Sequence, residues 1–219
     1  MNAVLFDYPK KAFFGKTIPK SKFYDHGNVS SKLKDLFVKQ VEQITWLYKL
    51  APETINVHAT KDVPEIQVFE IELKGEDLSE EVLICIDKAV QFPIIFEIKS
   101  DVGIKTVCAL KTRTNGDGWK TSYYMQSKVS PLSASRIQLD VVLSLNAIYE
   151  QIIRAVSLTK VQEGESLEDY VERGASIKSK SILIDGLKKK VYAEKQFNKK
   201  VELNSKLRIM VEELNHLLG

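Results

Sequence analysis

The stretch EIQVFEIELKGEDLSEEVLICIDKAVQFPIIFEIK, residues 65–99, carries two periodicities, and its reading decides the fold. Over 65–74 the residues alternate. Gln67, Phe69, Ile71 and Leu73 share one side of a strand, and Ile66, Val68, Glu70 and Glu72 share the other. Gly75 ends that strand, and Ser79 stands where a helix N-cap is wanted. Val82, Ile86 and Val90 then recur at helical spacing, and Pro93 opens a second strand, PIIFEIK. The first strand must cross over through its helix to reach the same sheet as the second.

Downstream, Asp101–Gly103 turn the chain into GIKTVCALKTR. TNGDGW is a tight-turn signal, because Asn-Gly and Asp-Gly tolerate positive φ, and WKTSYYMQ is the return strand. These last strands form an antiparallel meander. Upstream, Ser30 or Ser31 caps a segment in which Leu33, Phe37, Val41, Ile44 and Tyr48 step four, four, three, four, which predicts one amphipathic helix closed by Pro52. Residues 1–29 read as an irregular arm or short strands. The fold class is therefore α+β, a helix followed by a βαβββ-type, mostly antiparallel sheet, with a helical tail. The domains divide as 1–130 and 131–219.

In the tail, RIQLDVVLSLNAIYEQIIRAVSL predicts a long helix over 136–158 with Val141, Leu145, Ile148, Ile152 and Val156 on its stripe. Gly164 and Gly174 then flank a short acidic helix. Leu203, Leu207, Met210, Leu214 and Leu217 step four, three, four, three, a heptad seam and a candidate protein interface. Ile184, Leu187 and Val191 make a shorter seam. The expected intrachain partner of the long seam is the 136–158 helix, in an antiparallel hairpin; a second copy of the chain, or another protein, is the alternative.

With 219 residues, 44% hydrophobic and 28% charged, the chain can bury a core without staples, and a net charge of +3 makes the placement of charge more telling than its sum. Cys85 and Cys108 read as reduced core thiols, with no metal-ligand spacing and no disulfide framework. The N-terminal lysines follow the first apolar run, unlike a secretory signal, and no apolar run reaches membrane-spanning length. The protein is expected to be cytoplasmic, off the membrane and without cofactor.

Glu72-x-Lys74 and Glu97-x-Lys99 match the carboxylate–lysine spacing with which metal-dependent nucleases hold Mg²⁺ and a water, and Glu70 could join them. Asp62 and Asp87 sit awkwardly as further ligands. The preferred reading is a wet sheet face of solvated charges, with Lys99 pairing a glutamate across strands. His26, His58 and His216 lack partners at ligand spacing, and Ser133 and Ser135 are cap and loop residues. Trp46 and Trp119 read as core or core-edge residues. Two basic segments are candidate nucleic-acid contacts. In the arm, Lys10, Lys11, Lys16, Lys20 and Lys22 interleave with Phe13, Phe14, Phe23 and Tyr24; the competing and preferred reading has these rings plugging the core and the lysines merely solvated. In the tail stretch of Lys188, Lys189, Lys190, Lys195, Lys199 and Lys200, Lys188, Lys195 and Lys199 fall near one side of a helix, flanked by Lys189 and Lys200, with Tyr192 and Phe197 between; this stripe equally suits the polar side of a helical hairpin, the commoner outcome.

VSSKLKDLFVKQVEQITWLYKLAPETINV, EIQVFEIELK, IDKAVQFPIIFEI and EKQFNKKVELN together resemble the bacterial and archaeal domain-of-unknown-function family 4391, essentially over the whole chain. The resemblance implies company with DNA methyltransferases and helicases in restriction or phage-defence gene clusters, as an accessory subunit. It assigns no catalytic residue. The expected function is a non-catalytic interaction protein with protein partners and a nucleic-acid contact; the alternative is a Mg²⁺-dependent nuclease.

Overall fold

A computed structural model describes residues 4–24, 29–114, 116, 118–157 and 159–219. His26 of the histidine set, and Asn115 and Asp117 of the tight turn, lie outside the described residues. The chain divides into two compact units, Met1–Leu158 and Thr159–Gly219. The sequence reading instead divides it at 130/131.

The first unit is built on a six-stranded sheet. Its strands are β2 (Phe13–Thr17), β3 (Val41–Leu50), β4 (Ile66–Leu73), β5 (Ile94–Ser100), β6 (Gly103–Cys108) and β9 (Met125–Gln126), in that spatial order. Only β4 and β5 run parallel, joined through α4 (Glu80–Ala89); every other neighbour is antiparallel. That is the crossover and meander expected from residues 65–126. Ser79 caps α4, its hydroxyl accepting from the Glu81 N–H at 3.3 Å. β7 (Lys111–Arg113) and β8 (Trp119–Thr121) form a separate hairpin around the expected turn. β1 (Phe6–Asp7) pairs in parallel with β10 (Ile137–Gln138).

One sheet face is dry. Phe69, Ile71, Phe96 and Ile98 pack there with Phe37 of α2 (Ser31–Gln40), Val82 and Ile86 of α4, and Phe23 of α1 (Ser21–Tyr24). Burying each such side chain stabilises the fold by about 1.5–3 kcal/mol. Over the other face runs the N-terminal segment, whose Val4 carbonyl accepts from the Thr106 hydroxyl. A one-turn helix, α3 (Pro52–Ile55), follows β3.

The single helix predicted from residue 32 to 50 is a correction. α2 stops at Gln40 and the chain continues as β3. Residues 41–50 are rich in β-branched and aromatic side chains, which favour a pleated surface. One register shift in β3, between Val41 and Gln43, puts Val41 and Ile44, three apart, on the same buried face and so mimics helical spacing there; a second, between Trp46 and Tyr48, turns Tyr48 to the opposite face, against Tyr8.

The 136–158 helix is also shorter than predicted. α5 (Leu145–Val156) begins after Ser144, which caps it by accepting from the Ala147 N–H, and the expected stripe from Leu145 to Val156 is buried while Val141 lies in solvent. α5 packs on β6 and β9 within the first unit.

In the second unit α6 (Leu167–Ala193) runs unbroken through Gly174 and Gly186, where a loop-flanked short helix was expected. α7 (Phe197–Leu218) packs antiparallel against it, with Lys180 paired to Glu213 and the Arg173 guanidinium donating to the Leu217 carbonyl at 3.0 Å. The intrachain partner of the Leu203–Leu217 seam is therefore α6 and not the 136–158 helix. A helical hairpin forms as expected, from different helices. Glu194–Gln196 make its turn.

Candidate functional site

The β4–β5 register sets Glu70 opposite Glu97 and Glu72 opposite Lys99, all on the face away from the main core. Lys99 Nζ donates to Glu72 Oε1 at 3.3 Å, the cross-strand pair anticipated from the sequence. Lys74 lies 3.8 Å from Glu42 at the exposed strand end. The expectation that all these charges are solvated fails at Glu97, which is 0% exposed. Its carboxylate accepts two hydrogen bonds from Arg136, 2.7 Å from Nη1 to Oε1 and 2.8 Å from Nη2 to Oε2. Nη1 also donates to the Phe6 carbonyl at 2.7 Å, tying the N-terminal segment to the sheet. Hydrogen bonding to Glu97 holds the guanidinium pKa above its ordinary value.

Two groups near this clamp are less well satisfied. The Glu70 carboxylate makes no hydrogen bond or ion pair among the described residues; burial pushes its pKa up, and Lys99 offsets this only in part. The Tyr8 hydroxyl is buried without a hydrogen-bond partner among the described residues, beside Tyr48, with ring centroids 4.9 Å apart. Desolvation raises the Tyr8 pKa first of all, with the Glu97 charge adding to it. Among the described residues, no group of three or more His, Cys, Asp or Glu is placed to hold a metal ion. The face can orient and neutralise charge, but its innermost carboxylate is committed to a guanidinium.

A second polar cluster lies inside the unit. Lys111 Nζ donates to Asp87 Oδ1 at 3.1 Å and to the Asp87 carbonyl at 2.6 Å, and the Tyr124 hydroxyl donates to Asp87 Oδ2 at 2.6 Å. Both charges are buried. The Lys111 N–H donates to the Tyr149 hydroxyl at 3.0 Å. Asp87 thus has a structural partner. His58 joins the fold through its backbone, accepting from the Leu145 N–H at 2.8 Å, and His216 lies on the last turn of α7.

The arm divides between the two sequence readings. In the arm, Phe23 is core and Tyr24 packs against Phe37, but Phe13 and Phe14 remain 58% and 44% exposed on β2. Lys10, Lys11, Lys16 and Lys22 make no ion pair among the described residues, whereas Lys20 Nζ donates to the Val41 carbonyl, with its pKa lowered by desolvation. Trp46 is half-buried, stacked between Phe14 and Phe69. Trp119 is half-buried beneath the Arg113 guanidinium.

At the hairpin turn of the second unit, Tyr192 is 91% and Phe197 78% exposed. They stand within KKKVYAEKQFNKK, residues 188–200, which holds six lysines and one acid. Lys188 lies 3.8 Å from Asp185; Lys189, Lys190, Lys195, Lys199 and Lys200 make no ion pair among the described residues. The seam residues Leu203, Leu207, Met210, Leu214 and Leu217 are half-buried, and Ile182, Leu183 and Ile209 are exposed.

Arg136 and Lys111 were missed as site residues. Each meets its acid across a large separation, 39 and 24 residues, with no motif spacing to announce it.

No helix among the described residues is long and apolar enough to cross a membrane. No curated protein and no solved structure matches the chain. The family profile described as "Domain of unknown function (DUF4391)" matches residues 6–214, nearly the whole sequence. With that coverage, the chain belongs to the domain of unknown function family DUF4391.

Proposed function

We propose that this chain is a non-catalytic accessory protein that works by docking, contacting nucleic-acid phosphates with its lysine clusters within a DNA methyltransferase or helicase assembly of restriction or phage-defence type in the cytoplasm. The observation that carries the reading is the α6–α7 turn, where two aromatic rings stand in solvent among six lysines. Lysines neutralise phosphates and release counterions, and exposed rings add stacking surface. The exposed Ile182, Leu183 and Ile209 supply apolar surface for a protein partner or a second copy. The inward acids support the same reading, since Glu97 and Asp87 are spent on Arg136 and Lys111.

The alternative is a Mg²⁺-dependent nuclease using Glu70, Glu72 and Glu97 with Lys74 or Lys99. The side-by-side Glu70 and Glu97 favour it, and the guanidinium on both Glu97 oxygens opposes it. Two assays separate the readings. Retention on immobilised DNA that falls steeply with salt is the result expected of phosphate docking, and no retention even at low salt contradicts it. Cleavage of DNA that requires Mg²⁺ or Mn²⁺ and is lost in Glu70→Gln would replace docking by catalysis.

A further inference from the structure

We infer that the β2 edge of the sheet is a base-stacking platform for single-stranded nucleic acid. This rests on the phosphate-docking reading and names the form of nucleic acid that the first unit takes. Among the described residues β2 has a strand neighbour on one side only, β3, and all five of its residues are exposed. Phe13 and Phe14, consecutive on the strand, stand in solvent on opposite faces of the sheet edge, Phe14 on the side of core Phe69 and Phe13 on the side of Tyr8, so that a strand passing over the edge meets one ring on each side, and each is the outer end of an aromatic ladder. The Phe14 ring lies 4.3 Å from Trp46, which lies 6.1 Å from core Phe69. Phe13 lies 5.6 Å from Tyr48, which lies 4.9 Å from buried Tyr8. Rings braced in this way lose little freedom when a base stacks on them, so the stacking energy is kept.

Gly15 is part of the device. It has φ +62°, and a Cβ there would come within 2.6 Å of the Phe13 ring, so the ring lies folded over the backbone of its own strand. The charge along the segment itself has one sign, and Glu53, which lies beside Lys10 and Lys11, is paired with Lys49. From Tyr8 to Tyr24 there is no acidic residue, and Lys10, Lys11, Lys16 and Lys22 are available. Lysines with interleaved exposed rings fit a phosphate backbone whose bases are unstacked, while a duplex keeps its base faces covered. An added peptide strand suits the edge less well, because the register shift between Phe13 and Lys16 and the lysine itself blunt edge pairing.

The test uses the full chain, fluorescein-labelled oligothymidylate and oligouridylate, and a DNA duplex of equal length. Binding is read by anisotropy, and Trp46 emission is followed in Trp119→Phe, so that one tryptophan reports. The expected result is tighter binding of a single strand than of duplex, with quenching of Trp46. Phe13→Ala/Phe14→Ala should weaken the single strand by about 5- to 150-fold, the worth of stacking one base, and leave duplex binding unchanged. The DNA and RNA oligomers show which sugar is accepted. Equal binding of strand and duplex, or single-strand binding without Trp46 quenching, overturns the platform and leaves phosphate docking standing. No binding of any probe overturns both. Trp46 emission that depends on protein concentration without nucleic acid would assign the edge to a second copy and also overturn the platform. The wild-type comparison of strand with duplex decides the question even if the alanine variant does not fold.

Discussion

Glu97 and Arg136, 39 residues apart in sequence, share two hydrogen bonds of 2.7 and 2.8 Å, and the same guanidinium reaches the Phe6 carbonyl. Three segments distant in sequence are thereby joined around one fully buried carboxylate. Such a pair contributes little net stability when complete, because desolvation offsets its attraction, and breaking it leaves a buried charge alone.

Arg136→Met should therefore destabilise the first unit by about 3 kcal/mol, the lower end of the cost of breaking a buried pair, since the arginine is 33% exposed and water softens the loss. Glu97→Gln combined with Arg136→Met should recover most of it. Urea unfolding of the two variants checks this. A single mutant as stable as the parent would mean that Glu97 holds its charge without the guanidinium.

Glu70 makes stability depend on pH in an unusual direction for a carboxylate. Burial raises its pKa above the ordinary glutamate value, so the folded protein holds a proton that the unfolded chain releases in that window. Its contribution is fully present below the ordinary value and is lost as pH rises through the raised one. Glu70→Gln should flatten that slope and be at least as stable as the parent at neutral pH. Unfolding midpoints on both sides of the window report it, and an unchanged slope would exclude Glu70 as its source.

Lys111→Met should cost about 3–5 kcal/mol, because it strips the buried Asp87 carboxylate of the one cation paired with it among the described residues while Tyr124 still donates to it. Asp87→Leu/Lys111→Met should be much closer to the parent. Thermal unfolding of the pair separates a structural cluster from a functional one, since a structural cluster changes stability in step with any loss of DNA retention.

Gly186 lies inside α6 with nothing within 4 Å of a Cβ added there. Gly186→Ala should stabilise the hairpin by about 0.5–1 kcal/mol, by restricting the unfolded chain. A fall in the unfolding midpoint would show that this face of α6 is covered in the assembled protein.

The crossover and meander were legible because residues 65–126 obey simple rules. Alternation, a serine cap and glycine turns all act within a few residues, and all are found where expected. Residues 41–50 read as helix because a register shift put Val41 and Ile44 on one face and the four-residue step to Tyr48 fits either structure; only the neighbouring strand shows that Tyr48 faces the other way. The long seam was legible but not its partner, since Leu203, Leu207 and Met210 suit any apolar stripe, while the Lys180–Glu213 and Arg173–Leu217 contacts that pick α6 are not periodic. At the candidate site, alternation and the crossover allowed Glu70, Glu72 and Glu97 to share one sheet face, but the register that sets Glu70 and not Glu72 beside Glu97 is visible only between the paired strands. That Glu97 is dry depends on Arg136 and Phe6, which no local pattern connects to it.

The most direct test is the salt dependence of duplex DNA binding by the full chain and by Lys188→Gln/Lys195→Gln/Lys199→Gln. If these lysines meet phosphates, log K should fall linearly with log salt concentration, and the triple variant should lose about 3 from the magnitude of that slope, near 0.9 per phosphate. A triple variant with the parent's slope and affinity would contradict docking through the hairpin turn.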